Sequence, residues 1–133
     1  MTARVVCAGT FDHLHPGHIN FLNQAKALGN ELIVIVARDA TVRRVKGMTA
    51  DHDEQYRRRK VEEAGIADSV VLGNQGEDIF FILHTLSPDI VALGYDQRIS
   101  EEKIMREFPR CRVTRLEPFH PEKFKSSFYR FAR

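Results

Sequence analysis

At 133 residues the chain is long enough to bury a core without disulfides or a structural metal, and it has no room for a second domain of ordinary size, so residues 1–133 are expected to form one domain. A formal net charge of +2, with acidic and basic residues interspersed, gives no field that would single out nucleic acid or a membrane surface as the main partner. Cys7 and Cys111 lack any CxxC or His-paired spacing, and no apolar run approaches the roughly 18 residues of a membrane span, so a soluble cytoplasmic protein is expected.

The first apolar run, Val5-Val6-Cys7-Ala8, reads as a strand in which Cys7 fills the core. It leads into Gly9-Thr10-Phe11-Asp12-His13-Leu14-His15-Pro16-Gly17-His18, and a helical pattern then continues to Leu28, with Gly29 as its stop. Glu31 to Ala37 is a β-branched run of the kind buried on both faces in a parallel sheet. Asp39 is placed to cap a short helix over Thr41 to Val45, ending at Lys46-Gly47, before a polar, mobile loop from Met48 to Asp53.

Glu54 to Ala64 reads as a charged helix stopped by Gly65, followed by a strand over Ser69 to Gly73. A helix over Glu77 to Leu86, a buried strand over Ile90 to Gly94, a helix over Ser100 to Phe108 and a strand over Arg112 to Leu116 continue the alternation. Ser126 to Phe131 reads as a terminal helical turn or two. Strands alternating with helices throughout predict an open, parallel, doubly wound α/β sheet with right-handed crossovers.

The stretch from Gly9 to His18 carries the chemistry. Gly9 is expected to let the backbone leave the strand in a conformation that other residues resist, and Pro16 suits the first helical position. Backbone N–H groups at the helix start, with the positive end of the dipole, form an anion site, and His15 and His18 fall on the same turn beside it. Phosphate chemistry is one reading; the other has one imidazole capping the helix and the second on the surface.

This ten-residue string resembles the signature of the cytidylyltransferase-like nucleotidyltransferases, whose HxGH motif is matched by His15, Gly17 and His18. The resemblance implies a five-stranded Rossmann-like sheet of order 3-2-1-4-5, with the ligand at the switch point between the first and fourth strands, at Gly9 and Gly94. It also implies that His15, His18 and Lys46 stabilise a nucleotidyl-transfer transition state and that Arg57 binds phosphate. Backbone groups of Thr10 and Phe11 would contact the nucleotide phosphates and Asp12 would lie on the acceptor or metal side. Gly94, Asp96 and Gln97 would lie at the nucleoside, and Ser126 and Ser127 would hold the β- and γ-phosphates.

Each of these positions has a plainer reading in the residues alone. Arg57, Arg58 and Arg59 can form a solvated helix face with Glu54, Glu62 and Glu63; Asp12 can be a turn or capping residue; Ser126 can be an N-cap.

The form L-G-x-D-Q at Leu93 to Gln97 and the lack of an Arg-Thr-x-Gly segment before Ser126-Ser127 make the chain resemble the archaeal FAD synthases of that superfamily. Transfer of AMP from ATP to FMN is the activity this implies. The cysteine that some of those relatives carry before the serine pair is not present in Glu122-Lys123-Phe124-Lys125.

The divalent cation, Mg²⁺, is expected on the triphosphate rather than in a protein cage, so no metal ligands are named among the side chains. The resemblance also implies a homodimer, for which Phe119, Phe128, Tyr129 and Phe131 are candidate core or interface residues. Three alternatives stay open: transfer of CMP or AMP to glycerol-3-phosphate, a sugar phosphate or phosphopantetheine; a non-catalytic nucleotide-binding module; and nucleic-acid binding through the basic tail of Lys123, Lys125, Arg130 and Arg133, which is disfavoured because such runs are usually solvated ends.

Overall fold

The computed structural model describes residues 3–73, 79–95, 97 and 99–118. Strands β1 (Arg4–Gly9), β2 (Glu31–Val36), β3 (Ser69–Leu72), β4 (Ile90–Leu93) and β5 (Arg112–Arg115) alternate with helices α1 (Pro16–Ala27), α2 (Asp39–Lys46), α3 (Glu54–Glu63), α4 (Ile79–Leu86) and α5 (Glu101–Glu107). The sheet is parallel throughout with the order β3-β2-β1-β4-β5, as expected from the sequence.

The strand sequences account for this order. In β2 every residue from Leu32 to Val36 is buried, which only a strand covered on both faces can satisfy, and β2 lies between β1 and β3. Alternate residues feed two cores. Val5, Cys7, Leu32, Val34 and Val36 pack with Leu22, Ala25 and Val61 on the α1 and α3 side. Val6, Ile33, Ile35, Val91 and Leu93 pack with Leu83 and Ile104 on the α4 and α5 side. Complete burial of each such side chain contributes about 1.5–3 kcal/mol, so a polar residue in either register of β2 is strongly disfavoured. Cys7 is core filler, as read from the sequence: burial pushes its thiol up to about 12 and leaves it inert.

Two local features differ from expectation. Helix α2 starts at Asp39, with Arg38 at the N-cap making no side-chain capping bond. Asp39 and Glu54 instead exchange caps: Asp39 N–H donates to Glu54 Oε1 at 2.8 Å and Glu54 N–H to Asp39 Oδ2 at 3.2 Å, so the two helix starts hold each other. The segment between α2 and α3, expected to be mobile, is tied at its far end because Asp12 accepts the N–H groups of Asp51 and His52. Residues 77 and 78 of the expected fourth helix, and the expected terminal helix over Ser126 to Phe131, lie outside the described residues.

Candidate active site

The crossovers reverse direction between β1 and β4, and the carboxyl ends of these strands open onto the turn over residues 9–18. The turn is compressed. Phe11 and His13 both have φ of 55°, a left-handed conformation that side-chain-bearing residues rarely adopt. Gly9 is not the left-handed residue, contrary to expectation. Its requirement is steric: a Cβ at Gly9 would lie 2.9 Å from the Phe11 ring. That ring is buried and meets the His18 imidazole edge-on at 5.5 Å, so the missing Cβ at Gly9 indirectly positions His18.

His15 is the N-cap of α1, and its Nδ1 accepts the Gly17 N–H at 3.1 Å. His18 reciprocates, its Nδ1 accepting the His15 N–H at 3.4 Å, so the two imidazoles form a capping box and stack with centroids 3.9 Å apart. The expected bare amides at the helix start are therefore already occupied by His15. Backbone N–H groups can only donate, so both Nδ1 atoms must be unprotonated and both ring protons sit on Nε2. Burial pulls the His15 pKa down to about 4, helped by the neighbouring His13, and pulls His18 down to about 3, helped by His15 and Lys46. The pair is neutral at pH 7, with its ring protons on Nε2. Lys46 is exposed at the end of α2, where Gly47 reverses the chain with φ of 75°, and its charge reaches His18.

Arg57 is corrected. Its side chain is 1% exposed. Nε donates to His52 O at 2.9 Å, Nη1 to Thr10 O at 2.9 Å and Ala37 O at 2.8 Å, and Nη2 to Asp39 Oδ1 at 2.6 Å. The guanidinium joins the 9–18 turn, the end of β2, the start of α2 and the entry to α3, and is spent on protein groups rather than phosphate.

Gln97 is likewise turned inward. Its Oε1 accepts the Gly94 N–H at 2.7 Å and its Nε2 donates to Ala8 O at 2.8 Å, clamping the ends of β4 and β1 together. Arg115, which sequence reasoning missed, buttresses this clamp through Nη1 bonds to Gly94 O and Gln97 O, both 2.7 Å, while Glu101 holds its other edge.

Asp12 is buried, and its carboxylate accepts Asp51 N–H at 2.7 Å and lies 3.0 Å from His52 Nδ1. Asp12, His13 and His52 bring one potential ligand atom each to within 4.8 Å of one another, the metal-capable cluster found among the described residues. With two imidazole nitrogens and one carboxylate, it is a poor cage for Mg²⁺, which prefers oxygen ligands. Sequence reasoning missed His13 and His52; the available signal was a third imidazole inside the 9–18 string itself. Gly9, Thr10, Phe11, Asp12, His15, Gly17 and His18 thus share the turn after β1, Gly94 ends the neighbouring β4, the Lys46 charge reaches His18, and Arg57 and Gln97 are bonded to the backbone at either end of Gly9. Asp96, Ser126 and Ser127 lie outside the described residues.

The five-stranded 3-2-1-4-5 sheet, with a histidine-capped helix at its switch point, is a Rossmann-like α/β architecture, and the cytidylyltransferase-like family model matches residues 6–129. The chain belongs to the cytidylyltransferase-like family. It is 49% identical over 105 residues to the FAD synthase of Methanosarcina barkeri, covering 78% of this chain and 73% of that one. It is 48% identical over 118 residues to the FAD synthase of Archaeoglobus profundus, covering 86% and 74%. Among solved structures it resembles the lipopolysaccharide core biosynthesis protein of Thermoplasma volcanium, with a TM-score of 0.83 at 35% identity over 90% of this chain and 99% of that one.

Proposed function

We propose that the chain is an FAD synthase, transferring AMP from ATP to FMN with release of pyrophosphate. The observation that carries this reading is the His15–His18 capping box at the β1/β4 switch point of a chain close in sequence to archaeal FAD synthases. An oxygen of the FMN phosphate attacks the α-phosphorus of ATP, a new P–O bond forms, and the bond to the departing pyrophosphate breaks. The attacking phosphate is largely ionised at neutral pH, its second pKa being about 6, so the site needs no general base.

What it needs is stabilisation of charge growing on the phosphate oxygens. The neutral His15 and His18 rings supply Nε2–H donors, held in place by the bonds their Nδ1 atoms accept. Lys46 supplies positive charge that reaches His18. Mg²⁺ bound to the triphosphate supplies electrostatic screening of the phosphates when present. In this reading Gly94, backbone groups of Thr10 and Phe11, and Asp96, Ser126 and Ser127 contact the nucleotide, and Asp12 faces the acceptor. The active species is a homodimer, checked by light scattering on the purified protein.

Pyrophosphate release tests the reading, with ATP and CTP crossed against FMN, glycerol-3-phosphate, a sugar phosphate and phosphopantetheine in Mg²⁺, and products confirmed by mass. Release with ATP plus FMN alone, giving FAD, is expected. Release with another pair would replace the acceptor or the nucleotide, and release with none would leave a nucleotide-binding module.

A further inference from the structure

We propose that Asp12, His13 and His52 form a binding site for a first-row transition-metal ion, separate from any Mg²⁺ that arrives on a nucleotide. The three residues each bring a ligand atom to within 4.8 Å of the others, the scale on which one ion bridges side chains. Two imidazoles and one carboxylate suit Zn²⁺, Co²⁺, Ni²⁺ or Fe²⁺, whereas Mg²⁺ and Ca²⁺ prefer all-oxygen shells.

The ligands are built in rather than loosely gathered. Asp12 is 4% exposed, and its oxygens are oriented by the N–H groups of Asp51 and His52 at 2.7 and 3.3 Å. His13 is delivered by its left-handed backbone, φ 55°, to a ring position 4.9 Å from His52. Asp51 Oδ2 lies 2.5 Å from His13 Nε2, the carboxylate-to-imidazole contact that orients many metal-binding histidines through the ring nitrogen that does not bind the ion. His52 stacks on Tyr56 with centroids 4.4 Å apart, and its carbonyl is held by the buried Arg57.

The consequence is a cross-link. Asp12 and His13 belong to the 9–18 turn, and His52 belongs to the segment entering α3. An ion shared by the three ties that segment to the turn that carries His15 and His18. Sites that form only in the folded chain convert metal affinity into stability of the joined segments.

The test is a Co²⁺ titration of chelator-treated protein in excess Mg²⁺, without ATP or FMN, read by visible d–d absorption. One equivalent per chain, displaced by Zn²⁺, is expected, with binding weakened at least about 10-fold in His13→Ala and in His52→Ala and unchanged in His84→Ala. Because a variant can unfold, paramagnetic broadening by Co²⁺ is mapped on the unaltered protein, where the amide signals of residues 12, 13, 51 and 52 are expected to disappear first. No Co²⁺ uptake in excess Mg²⁺, broadening centred elsewhere, or unchanged binding in a folded His13→Ala/His52→Ala protein would overturn the site. The measurement uses no substrate, so a protein that binds Co²⁺ here but makes no FAD refutes only the reading of its reaction.

Discussion

Replacing Arg57 tests whether a cationic residue near a phosphate site is a ligand or a strut. Arg57→Met keeps an unbranched, roughly matching stem and deletes four hydrogen bonds. Three of their acceptors are backbone carbonyls, of Thr10, Ala37 and His52, and the fourth, Asp39, is 38% exposed and can turn to water. Each hydrogen bond from a charged group contributes about 1.5–3 kcal/mol, but some of these carbonyls regain water once the guanidinium is gone. A loss of about 3–5 kcal/mol is expected, in line with breaking a buried ion pair. For a domain of this size that lowers Tm by about 10–20 °C. Arg57→Lys should recover only a minor part, since an ammonium cannot match the planar fork that reaches all four acceptors. Urea unfolding gives the stability, and KM for ATP at a temperature where each variant is folded gives the ligand contribution. An unchanged unfolding midpoint with a collapsed affinity for ATP would refute the strut and restore Arg57 as a phosphate ligand.

Gly9→Ala pushes a methyl to within 2.9 Å of the Phe11 ring; overpacking of this kind costs about 1–3 kcal/mol, and turnover should fall with it because Phe11 abuts His18, whereas a variant stable and active as the parent would contradict the role given to Gly9. Nitrogen NMR of the imidazoles should show His15 and His18 as neutral Nε2–H tautomers that do not titrate near the ordinary pKa of 6.5; a protonation step there would contradict the capping box. Because both folded-state values lie below the unfolded value, the unfolded chain binds more protons than the folded one between about 3 and 6.5, so stability should be full above that window and decline as pH falls through it. Gln97→Leu removes the bridge between Gly94 N–H and Ala8 O and should cost about 1–3 kcal/mol in urea unfolding; no loss would mean that the bridge does not hold the strand ends.

The sheet was legible because its strands are short buried runs, five consecutive apolar residues in β2 and four in β4, separated by recognisable helix starts. The 9–18 string was legible because it is continuous in sequence. The residues that were misjudged act across the chain. Arg57 lies four positions before Val61, the other buried residue of α3, and so shares its inward face; three successive arginines hid this. Gln97 and Arg115 acquire their roles only once β5 lies beside β4 and β4 beside β1, a neighbourhood set by strand order and not by spacing. His52 meets Asp12 across 40 residues, beyond the reach of any local pattern.

The central claim is that the His18 Nε2–H acts on the reacting phosphates while Nδ1 serves only the helix cap. His18→Asn separates the two functions, because the Asn side-chain oxygen can accept the His15 N–H in place of Nδ1 while nothing replaces Nε2–H. Turnover with ATP and FMN should fall by about 10²–10³, as when an oxyanion-hole donor is removed, with stability within about 1 kcal/mol of the parent. A folded His18→Asn protein that makes FAD at the parental rate would contradict the account.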